Sequence, residues 1–173
     1  METEGALVMT SRLAAWTVLD DCRNAHRLLS ADDPDSTQWR VHWVACLTLL
    51  RAVGHVLHKV DRQHSATAKA LIDSAWKEWN DEHQAEHSIF RDFIEEARNR
   101  LLKEGAIDTT PEPTYLVTED GDQLVTEDGA ELITEEPFFR MTLVGFEDKD
   151  GLDLIDAAIA WWDRRLSEIE AAI

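Results

Sequence analysis

Residues 35 to 61 read DSTQWRVHWVACLTLLRAVGHVLHKVD, the longest helix-like segment of the chain. Its apolar residues return every three or four positions from Trp39 to Val60, which is the period of an α-helix buried along one side. Either Asp35 or Ser36 can cap the helix at its start. We therefore predict a long helix that needs other helices to cover its apolar face.

The same period recurs before and after this helix. An earlier helix can be capped by Thr10 or Ser11, a third helix opens at Ser65, a fourth runs from about Glu86 to Glu104 with Gly105 just after its end, and a last one starts near Asp150 or Gly151. Five amphipathic helices on short connections predict a mainly α fold, a five-helix bundle built from residues 1–105 and 151–173.

The segment between the last two helices is a tandem repeat with a period of eight residues. LVTEDGDQ at 116–123 is followed by LVTEDGAE at 124–131 and LITE at 132–135. An Asp-Gly pair between β-prone runs favours a two-residue type I′ turn, so we predict turns at Asp120-Gly121 and Asp128-Gly129. The segment is then a small antiparallel β-meander inserted before the last helix, and a strand over about 138–146 completes it.

In this meander Val117, Leu124 and Ile133 would line one face, and the other face would also be apolar. A small sheet can bury only one face against its own bundle, so the other is available to a second protomer or a partner. The alternative is a sheet that folds between the helices and a flanking loop, with no apolar face left over.

The net charge of -18, from 35 acidic and 17 basic side chains, is concentrated in this insertion. Residues 106–150 carry 13 acidic and 2 basic side chains, whereas residues 1–105 carry 17 and 13. The overall field repels phosphate backbones and anionic membranes, so we expect no membrane contact, and RNA binding only at a local patch. The shift in composition marks residues 106–150 as an acidic insertion.

The sequence gives no sign of export. It has no run of about 18 apolar residues, and its start lacks the basic and apolar regions of a signal peptide. We therefore expect a cytoplasmic location. Cys22 and Cys46 lie in helical segments without a metal-ligand or CxxC spacing, so we expect both thiols to be buried and reduced.

A short motif lies in the predicted fourth helix. Residues 90–104 read FRDFIEEARNRLLKE, in which Arg98 and Asn99 are followed by Lys103. These fifteen residues resemble the motif helix of HEPN-domain proteins, which are helical-bundle domains of prokaryotic defence and toxin–antitoxin systems. The signature of that family is an Arg, then a polar residue that is commonly Asn, and a His after four to six intervening residues.

The resemblance implies a metal-independent ribonuclease whose composite site forms when two copies dimerise. In this chain Lys103 stands where the His would fall, and no His follows Arg98. A neutral imidazole accepts a proton near neutral pH, whereas a lysine supplies only a cation. The motif therefore predicts a degenerate catalytic site of Arg98, Asn99 and Lys103. The structural alternative is that these cations complement the helix dipole and that Arg98 pairs with Glu95.

A second cationic group follows from helical geometry. Arg51, His55, His58 and Arg62 lie within one narrow stripe at 100° per residue, and together they predict an anion-binding surface. Arg51 and His58 also satisfy the loosest form of the Arg/His signature. The alternative is a solvated boundary face whose members pair with carboxylates. Gly54 inside the helix indicates a close approach of another helix.

A metal site is the weakest of the candidate sites. His83 and His87 are four residues apart beside Glu82 and Glu86, which can place two imidazoles on one metal if the helix is continuous. Because they straddle the predicted junction between the third and fourth helices, we expect no metal site, and nothing in the chain predicts a cofactor.

Three hypotheses of function follow. The leading one is a dimeric accessory or defence-associated protein that resembles a catalytically degenerate HEPN domain. The alternatives are a metal-independent HEPN-type endoribonuclease and an acidic protein-interaction module that docks a partner through residues 115–136. Trp161 and Trp162 are adjacent and cannot both face one core, so we expect one at an interface, as in a homodimer. Whether the protein is an enzyme is left open.

Overall fold

The computed structural model describes residues 12–34, 36–134 and 137–173. Within these residues it contains five α-helices and one two-stranded antiparallel sheet placed before the last helix, which confirms the predicted fold class. The elements are α1 (Ala15–Leu29), α2 (Thr37–Lys59), α3 (Ala66–Trp79), α4 (Glu96–Glu104), β1 (Thr109–Glu112), β2 (Phe138–Met141) and α5 (Gly151–Ala172).

The predicted starts of α2, α3 and α5 and the predicted end of α4 are confirmed. The side chains of Ser36, Ser65 and Asp150 accept hydrogen bonds from backbone N–H groups in the first turns of α2, α3 and α5. Gly105 follows α4 with a φ of 64°, a left-handed conformation that glycine adopts at little cost. The other predicted caps, Thr10, Ser11 and Asp35, lie outside the described residues.

The start of α1 is held by a distant carboxylate. Its N-cap residue, Ala14, has no side chain that can cap a helix. The buried carboxylate of Asp61 instead accepts hydrogen bonds from the backbone N–H groups of Ala14 at 2.7 Å and Ala15 at 3.0 Å. Glu170 on α5 accepts a further bond from the Trp16 indole at 3.1 Å. The first turn of α1 is therefore tied to the segment after α2 and to α5.

The predicted fourth helix is regular only in its second half. A 3₁₀ turn at Ala85–His87 is followed by a π-helical segment at Ile89–Glu95, and α4 continues directly from it. Phe90, Phe93 and Ile94 are all buried on this segment. π-helical turns are rare and are frequently found at functional sites. The segment leads directly into the helix that carries Arg98.

The core is centred on α2 and is rich in aromatic residues. The Trp162 indole donates a hydrogen bond to the Leu50 carbonyl at 2.9 Å, which ties α5 to α2. A Cβ at Gly54 would lie 2.9 Å from the Trp162 ring, so the predicted close approach at Gly54 is confirmed. Cys22 and Cys46 are buried and unbridged, as predicted. Hydrogen bonding to Cys22, together with burial, raises the pKa of the Cys46 thiol, which keeps it protonated.

The prediction that Trp161 or Trp162 reaches an interface is wrong. Both indoles are buried in the monomer, and their ring centroids are 4.8 Å apart. Trp161 stacks on Phe90 at 5.2 Å, while Trp162 meets Trp79 edge to face at 5.6 Å. Because α5 has packed neighbours on two sides, two adjacent residues can both be covered. This tryptophan pair therefore provides no interface residue.

The sheet joins the two ends of the insertion. β1 and β2 pair antiparallel, with Thr109 opposite Met141 and Glu112 opposite Phe138. The predicted strand over 138–146 is thus shorter and pairs with β1 rather than with the repeat. Phe139 stacks on Trp39 of α2, with ring centroids 5.0 Å apart. This contact fixes the base of the insertion to the bundle.

The repeat forms a closed three-fold unit. The N–H of Leu124 donates to the carbonyl of Leu116 at 2.8 Å, that of Leu132 to Leu124 at 2.9 Å, and that of Leu116 to Leu132 at 2.8 Å. We call this cycle the leucine ring. Antiparallel bridges surround it at equivalent positions of the period, and they join Tyr115 to Ile133, Val117 to Gln123 and Val125 to Glu131.

The predicted two-residue type I′ turns are wrong, because each loop contains three residues. Gly121 donates its N–H to the Thr118 carbonyl at 3.0 Å and has a φ of 89°, whereas no described residue other than glycine has a positive φ. A type I′ turn needs a positive φ at Asp120 as well, so the chain forms a three-residue loop instead. The longer loop shifts the register by one residue, and the predicted alignment of Val117 with Leu124 is therefore wrong.

One helical stretch, Thr37–Gln63, has the length and apolar composition of a membrane span. Trp43, Leu50, Val53 and Leu57 of this stretch have no exposed surface, because they fill the centre of the bundle.

Candidate functional site

A cleft of about 300 Å³ lies between α2 and α4. It is lined by Thr48, Arg51, Ala52 and His55 from α2 and by Arg98 from α4, and we call it the arginine cleft. The α2 residues lie three or four positions apart, so they share one helix face. The cleft brings together members of both cationic groups that the sequence analysis treated separately.

Arg98 lines the cleft in a half-buried position. Its Nη1 donates a hydrogen bond to Asn99 Oδ1 at 3.3 Å, and it forms no ion pair among the described residues. The expected pair with Glu95 is therefore not formed. Lys103 is exposed and does not line the cleft. Of the three motif residues, Arg98 alone contributes to the lining, and Asn99 helps to orient it.

Arg51 takes the carboxylate that was expected to bind Arg98. Its Nη2 lies 3.2 Å from Glu95 Oε1, and its guanidinium lies over the Trp76 ring at 5.7 Å. Its Nη1 is buried and has no hydrogen-bond acceptor among the described residues. Both partners keep Arg51 extended along the cleft, while one of its donors stays unmatched.

His55 supplies an imidazole to the same cleft. The side chain is exposed and makes no hydrogen bond or ion pair within the described part of the chain. Two guanidinium groups and one imidazole therefore line a cleft whose described lining contains no carboxylate. This is the composition of a site for an anion such as a phosphate group.

His58 and Arg62, the other two residues of the predicted stripe, contact α3. Arg62 binds Asp73 of α3 through two nitrogens, with Nη2 at 2.8 Å from Oδ2. His58 lies 3.8 Å from the same carboxylate, and its ring centroid is 5.1 Å from that of Trp76. His58 of α2 and Arg62 just after α2 therefore both contact Asp73 of α3, and neither lines the arginine cleft.

The pKa shifts in this second group follow its contacts. Burial lowers the pKa of His58, and the nearby positive charges of Arg62 and Lys59 lower it further, while Asp73 acts in the opposite direction. The Arg62 hydrogen bond holds the pKa of Asp73 below its ordinary value. Near neutral pH the pair of Arg62 and Asp73 is ionised, whereas His58 is neutral.

The two candidate metal-binding histidines do not come together. His83 is exposed, whereas His87 is buried beside Glu78 and Glu86. The chain forms a 3₁₀ turn at Ala85–His87, so the spacing of four residues does not place both imidazoles on one helix face. Glu78 could not be recognised from the sequence as a neighbour of His87, because its position on α3 is next to His87 only in the folded chain.

Sequence reasoning found Arg51, His55 and Arg98 but could not place them in one site. Helical periodicity indicates which residues of α2 share a face, yet it does not indicate which helix packs against that face. Comparisons of the chain with protein-family models, with curated proteins and with solved structures give no match.

Proposed function

We propose that this protein is a cytoplasmic, homodimeric accessory protein, resembling a degenerate HEPN domain of a defence or toxin–antitoxin system, that binds RNA phosphate groups in the arginine cleft. The observation that carries the proposal is the convergence of Arg51 and Arg98, from two different helices, on one cleft. Lys103, which replaces the family's His, lies outside this cleft, and this agrees with binding without cleavage.

The local charge supports RNA as the ligand in spite of the acidic chain. Guanidinium groups bind phosphate oxygens through paired N–H donors, and such charge-assisted bonds are among the strong ones in proteins. Glu95 neutralises part of Arg51, but Arg98 has no carboxylate partner among the described residues. Contacts with phosphate groups weaken as salt rises, but salt also screens the repulsion from the net charge of -18, so we expect affinity to depend only weakly on salt.

An exposed leucine next to the cleft supports dimerisation. Leu102 follows Arg98 by one helical turn, and 61% of its surface is exposed. A second copy packed on this face of α4 would cover Leu102 and place two arginine clefts side by side. This arrangement matches the composite site that the HEPN resemblance implies.

The second candidate function is metal-independent RNA cleavage, and His55 favours it. The motif helix lacks the histidine that the reaction needs, but the cleft contains His55 from α2. A neutral His55 could accept the proton of a ribose 2′-hydroxyl while Arg98 stabilises the charge that develops on the phosphate. This candidate predicts cutting in the presence of a chelator.

The test is RNA binding measured by fluorescence anisotropy with a labelled single-stranded oligonucleotide of mixed sequence at low salt. We expect Arg98→Ala to weaken binding by about tenfold or more, because each charge-assisted bond contributes about 1.5–3 kcal/mol. Lys103→Ala is the matched control, since it removes the same charge from the same helix outside the cleft.

The RNA in the binding samples, incubated with a chelator, distinguishes the accessory protein from the nuclease. RNA that stays intact in chelator supports the accessory role, whereas cutting that is lost in His55→Ala supports the nuclease. If the wild-type protein does not bind the oligonucleotide, or if Arg98→Ala and Lys103→Ala behave alike, the arginine cleft is not an RNA site.

A further inference from the structure

We propose that Glu78, Glu86 and His87 form a binding site for one divalent transition-metal ion of the Zn²⁺ class, which we call the His87 site. One nitrogen or oxygen atom of each side chain lies within 4.8 Å of the other two. The proposal is independent of the arginine cleft and stands whether or not the protein binds RNA. It replaces the expectation that the chain holds no metal.

His87 is the residue that points to a ligand. Its side chain has no exposed surface, and neither ring nitrogen has a hydrogen-bond partner in the described part of the chain. Its ring meets Trp161 edge to face, with centroids 5.8 Å apart. Burying an unpaired polar ring costs free energy, and buried polar groups nearly always have a partner. A metal ion would supply a partner for Nε2, the nitrogen that lies nearest to the two glutamates.

The distances fit shared coordination better than direct hydrogen bonds. His87 Nε2 lies 3.6 Å from Glu78 Oε1 and 3.4 Å from Glu86 Oε1. Both distances exceed the usual range of an N–H···O hydrogen bond. Ligand atoms about 2.0–2.1 Å from a tetrahedral Zn²⁺ are separated by roughly 3.3 Å. The two distances from His87 Nε2 are therefore close to the edges of such a tetrahedron, the two glutamate oxygens lie within 4.8 Å of each other, and water can take the remaining position.

The charge around the site also favours a divalent cation. Arg165 faces the same group, with Nη1 at 2.9 Å from Glu168 and Nη2 at 3.9 Å from Glu86 Oε2. Its nearest Glu86 oxygen is Oε2, whereas Oε1 is the oxygen that lies 3.4 Å from His87 Nε2. Three carboxylates against one guanidinium leave two negative charges, which a divalent ion balances.

An entry path is present. Glu78, Arg165 and Glu168 line an open cavity of about 250 Å³ between α3 and α5. The side chains of Glu78 and Glu86 are more than half exposed, so only the imidazole is deeply buried. A metal ion can therefore reach the two carboxylates from solvent, and Glu78 belongs both to the His87 site and to this cavity.

The test is Zn²⁺ titration of the tag-free, chelator-treated protein by isothermal calorimetry, with Co²⁺ as a spectroscopic probe. We expect one ion per chain and a visible Co²⁺ absorption band of the tetrahedral type. Loss of a residue that only supports a metal ligand costs about 10–100-fold in affinity, so Glu78→Gln and Glu86→Gln should each weaken binding by about tenfold or more. Both changes are at exposed positions and leave the buried imidazole in place.

Glu82→Gln is the matched control, since it removes an exposed carboxylate from the same loop but outside the site. It should bind Zn²⁺ like the wild type. The rival explanation is a protonated His87 in an ion pair with the two glutamates, which predicts no saturable Zn²⁺ binding. That result, or equal Zn²⁺ affinity in Glu82→Gln, Glu78→Gln and Glu86→Gln, would overturn the proposal.

Discussion

At the scale of single residues, the buried carboxylate of Asp61 replaces the missing cap of α1. Its two oxygens accept bonds from Ala14 and Ala15, and no side chain at the N-cap position can take its place. We predict that Asp61→Ala lowers the free energy of unfolding by about 3 kcal/mol, because a helix cap is lost and two N–H groups lose their acceptor. Urea denaturation measures this change.

Asp92→Ala serves as the comparison for Asp61. Asp92 is exposed, and its substitution should change stability by less than about 0.5 kcal/mol. If the two variants have the same unfolding midpoint, the contact between Asp61 and α1 contributes nothing to stability.

Predictions about single residues were confirmed where they depend on residues a few positions away in the sequence. Ser36, Ser65 and Gly105 could be assigned from the sequence because a cap interacts with residues a few positions away. The capping role of Asp61 could not be assigned from the sequence, since Asp61 accepts a hydrogen bond from Ala15, which lies 46 residues earlier in the chain. The ion pair between Arg51 and Glu95 joins two helices, so it could not be predicted from neighbours in the sequence either.

At the scale of elements, Gly54 sets the distance between α2 and its neighbours. An added Cβ would lie 2.9 Å from Trp162 Cη2 and 3.3 Å from Trp76 Cη2, and both rings are held by other aromatic residues. Gly54→Ala gains about 1 kcal/mol of helix propensity but overpacks the core at a cost of about 1–3 kcal/mol. We predict a net loss of about 1 kcal/mol in the free energy of unfolding.

A double-mutant cycle isolates the contact at Gly54. Trp162→Phe removes the Trp162 ring atoms that lie 2.9 Å and 3.1 Å from the new Cβ and leaves the contact with Trp76, so Gly54→Ala should lose less stability in that background. An equal loss in both backgrounds, measured by urea denaturation, would place the cause outside this contact.

The elements also show where a sequence pattern is ambiguous. An Asp-Gly pair fits a type I′ turn as well as a three-residue loop that ends in a left-handed glycine. The leucine ring favours the three-residue loop over the type I′ turn, because its hydrogen bonds join the first copy of the repeat to the third. The period of eight could be read from the sequence, whereas closure of the repeat on itself could not.

At the scale of the whole molecule, the bundle and the repeat are separate in their packing. Leu116, Leu124 and Leu132 remain 38–40% exposed, and Val117, Val125 and Ile133 remain 54% exposed, so none of them belongs to the core. We predict that replacing residues 115–134 by a short linker changes the free energy of unfolding by less than about 1 kcal/mol, because loop length affects stability weakly. Thermal and urea unfolding, followed by tryptophan fluorescence, measure this change.

The repeat variant also bears on the interaction-module hypothesis. A partner that docks through residues 115–136 should lose binding to the variant while the helical bundle stays folded. Loss of cooperative unfolding would instead mean that the repeat supports the bundle, contrary to its exposed position. The substitution removes six carboxylates and no basic residue, so any RNA binding at the arginine cleft should strengthen at low salt.

The architecture could be predicted from sequence more fully than the sites. Five helices and a β insertion follow from periodicity and turn residues, which are local properties. The arginine cleft and the His87 site depend on which helix faces meet, and Arg51, Arg98, Glu78 and His87 come from separate elements. The sequence shows the types of these residues, but it does not show which of them are neighbours in the fold.

The leucine ring has a consequence for how this gene can change. Tandem copies in DNA are readily gained or lost by slippage during replication, and most repeat arrays tolerate such changes at their ends. Here each copy donates one backbone hydrogen bond to the preceding copy, and the first copy donates to the last, so the cycle is complete with three. A fourth copy has no vacant carbonyl in the cycle to bind, and a loss leaves two copies that cannot close. We therefore expect the gain or loss of one copy to disrupt the fold of this segment, whichever residues occupy its loops.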